Sequence, residues 1–103
     1  MSETVYINRD NVVDLLLSVD GVAQPLDSVT QIDLKLGDIT VSNTLSTEWP
    51  IKWLGLGTDG KIQIKLGDEL SENYRGRMWV IVYGLDNLDG IVWGYVDAVV
   101  TSV

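Results

Sequence analysis

Carboxylates are the side chains best supplied for chemistry in this 103-residue chain, which has 15 Asp and Glu but neither histidine nor cysteine. Two carboxyl groups about 5–10 Å apart, one of them held protonated, can cleave a glycosidic bond. Such a pair needs a cleft that raises one pKa, and no stretch of this sequence gathers aromatic residues around an acidic pair. The carboxylates therefore read as solvated surface charge. Without imidazole there is no Ser-His-Asp triad and no histidine metal ligand. Without thiols there is no cysteine nucleophile, zinc knuckle, iron–sulfur centre or disulfide.

Two loops spell ligand motifs. Gly55-Leu56-Gly57-Thr58-Asp59-Gly60 has the G-x-G-x-x-G spacing of a dinucleotide loop, which depends on a helix N-terminus aimed at pyrophosphate. The next residues, Lys61-Ile62-Gln63-Ile64-Lys65-Leu66, alternate as a strand does, so the motif is a glycine-rich turn. Asp86-Asn87-Leu88-Asp89-Gly90 gathers oxygen-bearing side chains of the kind Ca²⁺ takes. The spacing is not that of an EF-hand loop and no acidic residue closes the run. A hairpin loop built on Asn and Asp-Gly accounts for the same residues. No catalytic residue, cofactor or metal site is expected.

The most informative segment is a pair of apolar runs, Met78-Trp79-Val80-Ile81-Val82-Tyr83 and Ile91-Val92-Trp93-Gly94-Tyr95-Val96. Folded as a hairpin about Asn87, they set Tyr83 opposite Ile91, Ile81 opposite Trp93 and Trp79 opposite Tyr95. Those six residues then share one face, and Met78, Val80, Val82, Val92, Gly94 and Val96 share the other. A sandwich strand has one core face and one wet face, whereas this hairpin has two apolar faces. Either a loop such as the one carrying Trp49, Pro50 and Trp53 covers the second face, or that face awaits a partner. A bulge in either strand would shift the pairing.

The elements that carry this hairpin are strands. Val13, Leu15, Leu17 and Val19 alternate with Asp14, Leu16 and Ser18; Ile32, Leu34 and Leu36 with Asp33 and Lys35; Ile62, Ile64 and Leu66 with Lys61, Gln63 and Lys65. Val, Ile and Thr supply 29 residues, which favours pleated surfaces. Turn chemistry punctuates them at Asp20-Gly21, Gly37-Asp38, Asp59-Gly60, Gly67-Asp68 and Asp89-Gly90. Strands are expected near 4–8, 12–19, 29–36, 39–44, 51–54, 61–66, 78–84 and 90–96, with 97–103 continuing or adding one. Only Asp68 to Arg75 has room for a helical turn. Seven to nine short strands in one domain, residues 1–103, predict an all-β antiparallel β-sandwich. Leu34-Lys35-Leu36-Gly37-Asp38 and Ile64-Lys65-Leu66-Gly67-Asp68 echo one another as two strands ending in one turn chemistry.

A formal charge of −8 argues against a phosphate-binding surface. Lys35, Lys52, Lys61, Lys65, Arg9, Arg75 and Arg77 are scattered among twice as many acids, so neither nucleic acid nor an anionic membrane is an expected partner. Met1-Ser2-Glu3-Thr4 is not a secretion signal, and no apolar run approaches the ~20 residues of a membrane span. The expected setting is a reducing cytoplasm, or a particle assembled in one.

Three stretches carry a family likeness: Pro25-Leu26-Asp27-Ser28-Val29-Thr30-Gln31-Ile32-Asp33-Leu34, Asp59-Gly60-Lys61-Ile62-Gln63-Ile64, and Tyr74-Arg75-Gly76-Arg77-Met78-Trp79-Val80. With Asp89-Gly90-Ile91-Val92-Trp93-Gly94 near the end, the chain from about Asn11 onward resembles the immunoglobulin-like domain of tailed-bacteriophage structural proteins. It is similar to the N-terminal module of phage baseplate upper proteins and to short phage virion proteins. The resemblance rests on turn and strand patterns, and the cysteine pair of antibody domains is absent. Tyr74 stands where a buried tyrosine could hold a sheet corner. The resemblance implies a non-enzymatic virion component made in a bacterial host's cytoplasm. It would be a head decoration or cement protein, or a tail or baseplate adaptor, and a stand-alone module tilts the expectation toward decoration.

The expected partners are other virion proteins, the major capsid protein or further copies of the chain, met through Trp79, Ile81, Tyr83, Ile91, Trp93 and Tyr95. The rival is a carbohydrate-binding module in which Trp49, Trp53 or Trp93 stacks on sugar rings.

Overall fold

A computed structural model describes residues 2–19, 22–23, 29–53, 60–84 and 87–102. The strands are β1 (Ser2–Tyr6), β2 (Val13–Leu16), β3 (Ser18–Val19), β4 (Val22–Ala23), β5 (Val29–Leu36), β6 (Ile39–Asn43), β7 (Ile51–Trp53), β8 (Lys61–Ile64), β9 (Tyr74–Gly84) and β10 (Asn87–Thr101). All regular structure among the described residues is strand, as the alternation predicts. The expected helical turn reduces to a tight turn at residues 67–69, closed by the Glu69 N–H donating to the Leu66 carbonyl at 3.0 Å.

Five strands form the larger sheet in the order β1-β10-β9-β5-β6, and three form a smaller one, β2-β8-β7. β3 and β4 make a separate two-residue ladder. Two expectations are corrected. The larger sheet is mixed rather than antiparallel, because β1 runs parallel to the end of β10, pairing Ser2 with Asp97 and Val5 with Val100. A parallel neighbour needs a long crossover, and here the whole intervening chain supplies it. Nor are the strands all short, since β9 has 11 residues and β10 has 15. β9 begins at Tyr74 rather than 78 because the continuing β10 offers Ala98, Val99 and Val100 as partners.

The alternating apolar positions of both sheets meet in one core. Ile32, Leu34, Leu36, Met78, Val80, Val82, Ala98 and Val100 come from the larger sheet; Val13, Leu15, Ile51, Trp53, Ile62 and Ile64 come from the smaller. The arrangement is β-sandwich-like. Full burial of each Val, Leu, Ile or Met side chain among them contributes roughly 1.5–3 kcal/mol. Leu17, Leu66 and Leu70 continue the core beyond the strand ends.

The two Leu-Gly-Asp turns serve different ends. Gly37 closes the β5–β6 hairpin with φ +60°, a left-handed conformation that suits glycine. Gly67 has no such constraint. A Cβ there would fall on the Arg9 carbonyl oxygen and lie 2.8 Å from that of Tyr6, because the turn after β1 runs directly over it. The Asn8 N–H donates to the Gly67 carbonyl at 2.7 Å and fixes that crossing.

Candidate interaction face

Larger-sheet side chains that point away from the core form the outer face. On β9 these are Arg75, Arg77, Trp79, Ile81 and Tyr83, alternating with buried Met78, Val80 and Val82. On β5 they are Gln31, Asp33 and Lys35, which pair with Tyr83, Ile81 and Trp79. On β10 the pairing departs from the symmetric hairpin.

Tyr95 stands opposite Trp79 as the sequence predicts, but a bulge between Val92 and Gly94 advances the register by one residue. Val92 therefore faces Ile81, and Ile91 stands opposite core-facing Val82. Two of the six expected face residues are displaced. Trp93, the bulged residue, packs half-buried against the core, and Ile91 is exposed on the other side of the hairpin. Val92 takes their place on the outer face and is 59% exposed. Letters alone do not reveal the shift, since Ile91, Val92 and Trp93 are all apolar.

Trp79 and Tyr95 lie with ring centroids 5.1 Å apart and planes tilted by 57°. The Arg77 guanidinium sits 4.2 Å from the Tyr95 ring centre and 5.8 Å from that of Trp79. Arg77 thus covers part of the aromatic pair while Tyr95 stays 47% exposed. A shallow groove of about 460 Å³ runs between Lys35, Arg77, Trp79, Ile81 and Val92. Among the described residues Lys35, Arg75 and Arg77 form no ion pair; the exposed pairs are Lys61 with Asp14 at 3.7 Å and Lys65 with Asp10 at 3.4 Å.

Beside the groove, Asp33 is only 7% exposed although it belongs to the outer face. Tyr83 donates its hydroxyl to Asp33 Oδ2 at 2.9 Å, and Gln31 Nε2 donates to Oδ1 at 2.8 Å. The hydrogen bond to Asp33 raises the Tyr83 pKa first, followed by burial and by the charges of Asp33 and Asp89. Gly90, with φ +82°, passes under this corner, where a Cβ would lie 2.8 Å from the Tyr83 ring and 2.9 Å from Ile81.

The loop considered as a cover for this face is engaged elsewhere. Trp53 is 3% exposed inside the core. Trp49 lies against Lys52 and Lys65, whose ammonium groups stand 4.3 Å and 5.5 Å from its ring centre. Pro50, joined to Trp49 by a cis peptide, accepts the Lys65 N–H at 2.9 Å. Of the three indoles considered for sugar stacking, Trp53 is buried, Trp93 is half-buried and Trp49 is exposed beside lysines. Tyr74 opens β9, and its hydroxyl donates to the Arg77 carbonyl at 2.8 Å, three residues downstream within its own strand. An immunoglobulin corner tyrosine reaches upstream instead.

A second cleft, of about 380 Å³, lies between β2 and the bulged stretch of β10, with Leu15, Leu17, Val80, Trp93 and Gly94 in its walls. The glycine-rich stretch 54–59 lies outside the described residues, and the strand β8 comes directly after Gly60. Asp86 also lies outside them; among the described residues no group of three or more acidic side chains is placed to hold a metal ion. Among the described residues, too, no helix is long and apolar enough to cross a membrane. In comparisons with known proteins, no family model, curated protein or solved structure matched this chain.

Proposed function

We propose that this chain is an immunoglobulin-like structural module of a tailed-phage virion, a non-enzymatic head decoration or cement protein that binds through the outer face of its larger sheet. Strand order supports the fold reading. With β2 taken as strand B, β5 as C, β6 as C′, β7 as D, β8 as E, β9 as F and β10 as G, the sheets read C′-C-F-G and B-E-D, the variable-type arrangement. The first strand then lies on the G edge. The observation that carries the functional reading is the contiguous outer patch of Trp79, Ile81, Val92 and Tyr95, in which Val92 and Tyr95 are exposed. Apolar patches of this kind, rimmed by polar residues, mark protein-binding surfaces.

The test is mass spectrometry of purified phage particles from the culture that makes the chain. The protein is expected in the particle at a fixed copy ratio to the major capsid protein. A Val92→Glu chain that is folded in solution should be missing from particles. Detection of the wild-type chain only in the soluble fraction would overturn the virion assignment.

A further inference from the structure

One side of the sandwich is closed along only part of its length. β1 covers it where Ser2 to Tyr6 run beside Asp97 to Thr101 of β10, and there Val5 is buried. Before Asp97, β10 has β9 as its one strand neighbour among the described residues, so the stretch from Trp93 to Val96 keeps an unpaired edge. β2 ends the smaller sheet, and among the described residues its far edge is unpaired as well. A free edge presents N–H and C=O groups that can extend a sheet.

The cleft of about 380 Å³ lies between these two edges. Its walls are consecutive residues, Asp14 to Leu17 on one side and Trp93 to Val96 on the other. A sheet face shows every second residue, whereas an edge shows all of them, so the cleft follows the edges. Gly94 opens it further. This glycine pairs with core-facing Val80, its φ is not left-handed, and a Cβ there would meet nothing within 4 Å. A glycine inside a strand that its own fold does not require marks a place where another backbone can come close.

Glu3 adds a charge. It pairs with core-facing Ala98, two residues from buried Val5, so its carboxylate lies on the inward side of β1 at the cleft. Among the described residues it has neither an ion pair nor a side-chain hydrogen bond. The other acid of the cleft, Asp14, is already met by Lys61 at 3.7 Å and by Gln63 Nε2 at 3.3 Å. A chain laid in the cleft would take Glu3 out of water, and a carboxylate so covered needs a cation in return.

We propose that this cleft takes an extended, basic segment of a partner protein by β-strand addition. The segment runs along Trp93 to Val96 in line with β1, its apolar side chains on Leu15, Leu17 and Trp93 and an Arg or Lys on Glu3. A second copy has no such segment to lend. Every Lys and Arg of the chain lies in a strand or in the hydrogen-bonded stretches at Arg9 and Lys65. The −8 charge also favours a basic partner over another copy. The site is separate from the outer face and stands whether or not the protein belongs to a virion.

The test selects a random linear-peptide library on the purified full chain. Enriched peptides should alternate apolar and polar residues over about five or six positions and carry an Arg or Lys. Bound peptide should slow amide exchange between Trp93 and Val96. Glu3→Lys and Gly94→Val, each folded by circular dichroism, should each weaken the peptide by about tenfold or more. Replacing the peptide's cation by Glu should restore its binding to the Glu3→Lys chain, which damage to the fold could not do. No enriched peptide, or one indifferent to both substitutions, overturns the proposal. Self-association of the wild type that Glu3→Lys abolishes would seat a second copy in the cleft and overturn it too.

Discussion

Tyr83 on β9 donates its hydroxyl across the sheet to the buried carboxylate of Asp33 on β5, at 2.9 Å and one pair diagonal to the ladder. This contact turns an outward-facing acid into part of the sheet's structure. Gln31 takes the other carboxylate oxygen, and no buried side-chain nitrogen or oxygen among the described residues lacks a partner.

The phenol should titrate late. Tyr83 is held above the usual tyrosine value of about 10 because its neutral form donates to Asp33. A group with a raised folded-state pKa contributes stability that is complete below the unfolded value and is lost as pH climbs through the folded one. Alkaline titration followed by tyrosine absorbance should show one late phenol that disappears in Tyr83→Phe. Stability from urea unfolding should fall more between neutral pH and pH above about 10 in the wild type than in the variant. Equal falls would show that the bond does not survive in solution.

Trp93 and Tyr95 are two residues apart and should behave oppositely. Trp93→Ala removes an indole packed on the core and should cost roughly 2–4 kcal/mol, somewhat less than full burial implies. Tyr95→Ala acts at an exposed ring and should cost about 1 kcal/mol or less. Urea midpoints of the two variants decide whether the bulge is placed correctly. A hairpin without it would put both rings on the outer face and give similar small losses.

Gly67 and Gly94 form a second contrasting pair. A methyl group at Gly67 meets the backbone of Tyr6 and Arg9, so Gly67→Ala should destabilise by about 2–3 kcal/mol. At Gly94 a Cβ finds nothing within 4 Å, and Gly94→Ala should change stability by no more than about 0.5 kcal/mol. Thermal unfolding of both variants is sufficient to check this.

Asn43 holds the 44–50 loop from inside. Its Nδ2 donates to the carbonyls of Leu45, Glu48 and Ile51 at 2.9, 2.8 and 2.6 Å, and its Oδ1 accepts the Leu45 N–H at 3.3 Å. Asn43→Ala should cost about 2 kcal/mol by leaving these groups to solvent or unpaired. Asn43→Asp should cost more at neutral pH, because a carboxylate would face three carbonyl oxygens. The excess should shrink in acid as the new group protonates. A neutral-pH unfolding curve for Asn43→Asp matching that of Asn43→Ala would refute this account.

Much of the fold was legible in the letters. The alternation in Ile32-Asp33-Leu34-Lys35-Leu36 and Lys61-Ile62-Gln63-Ile64 gave the correct faces, since a pleated strand buries every second residue whatever lies elsewhere. Gly37-Asp38 marked a real hairpin. What escaped reading depended on neighbours distant in sequence. Asp33 alternates like a wet residue, yet a tyrosine 50 positions away covers it. Gly67 looks like a second copy of the Gly37 turn, yet it is glycine because another backbone crosses it.

The candidate face divides in the same way. By itself the sequence determined that residues 78–96 form a hairpin with too many apolar side chains for one core, because that is a matter of count and period. Only the tertiary structure decided which of them face outward. Ile91, Val92 and Trp93 are all apolar, so moving the register by one residue leaves the hydropathy pattern unchanged. The bulge turns the Trp93 ring toward the β2 side, where it packs against the core beside Leu15 and Leu17. Val92 and Tyr95 remain on the outside, with the Arg77 guanidinium over the Tyr95 ring.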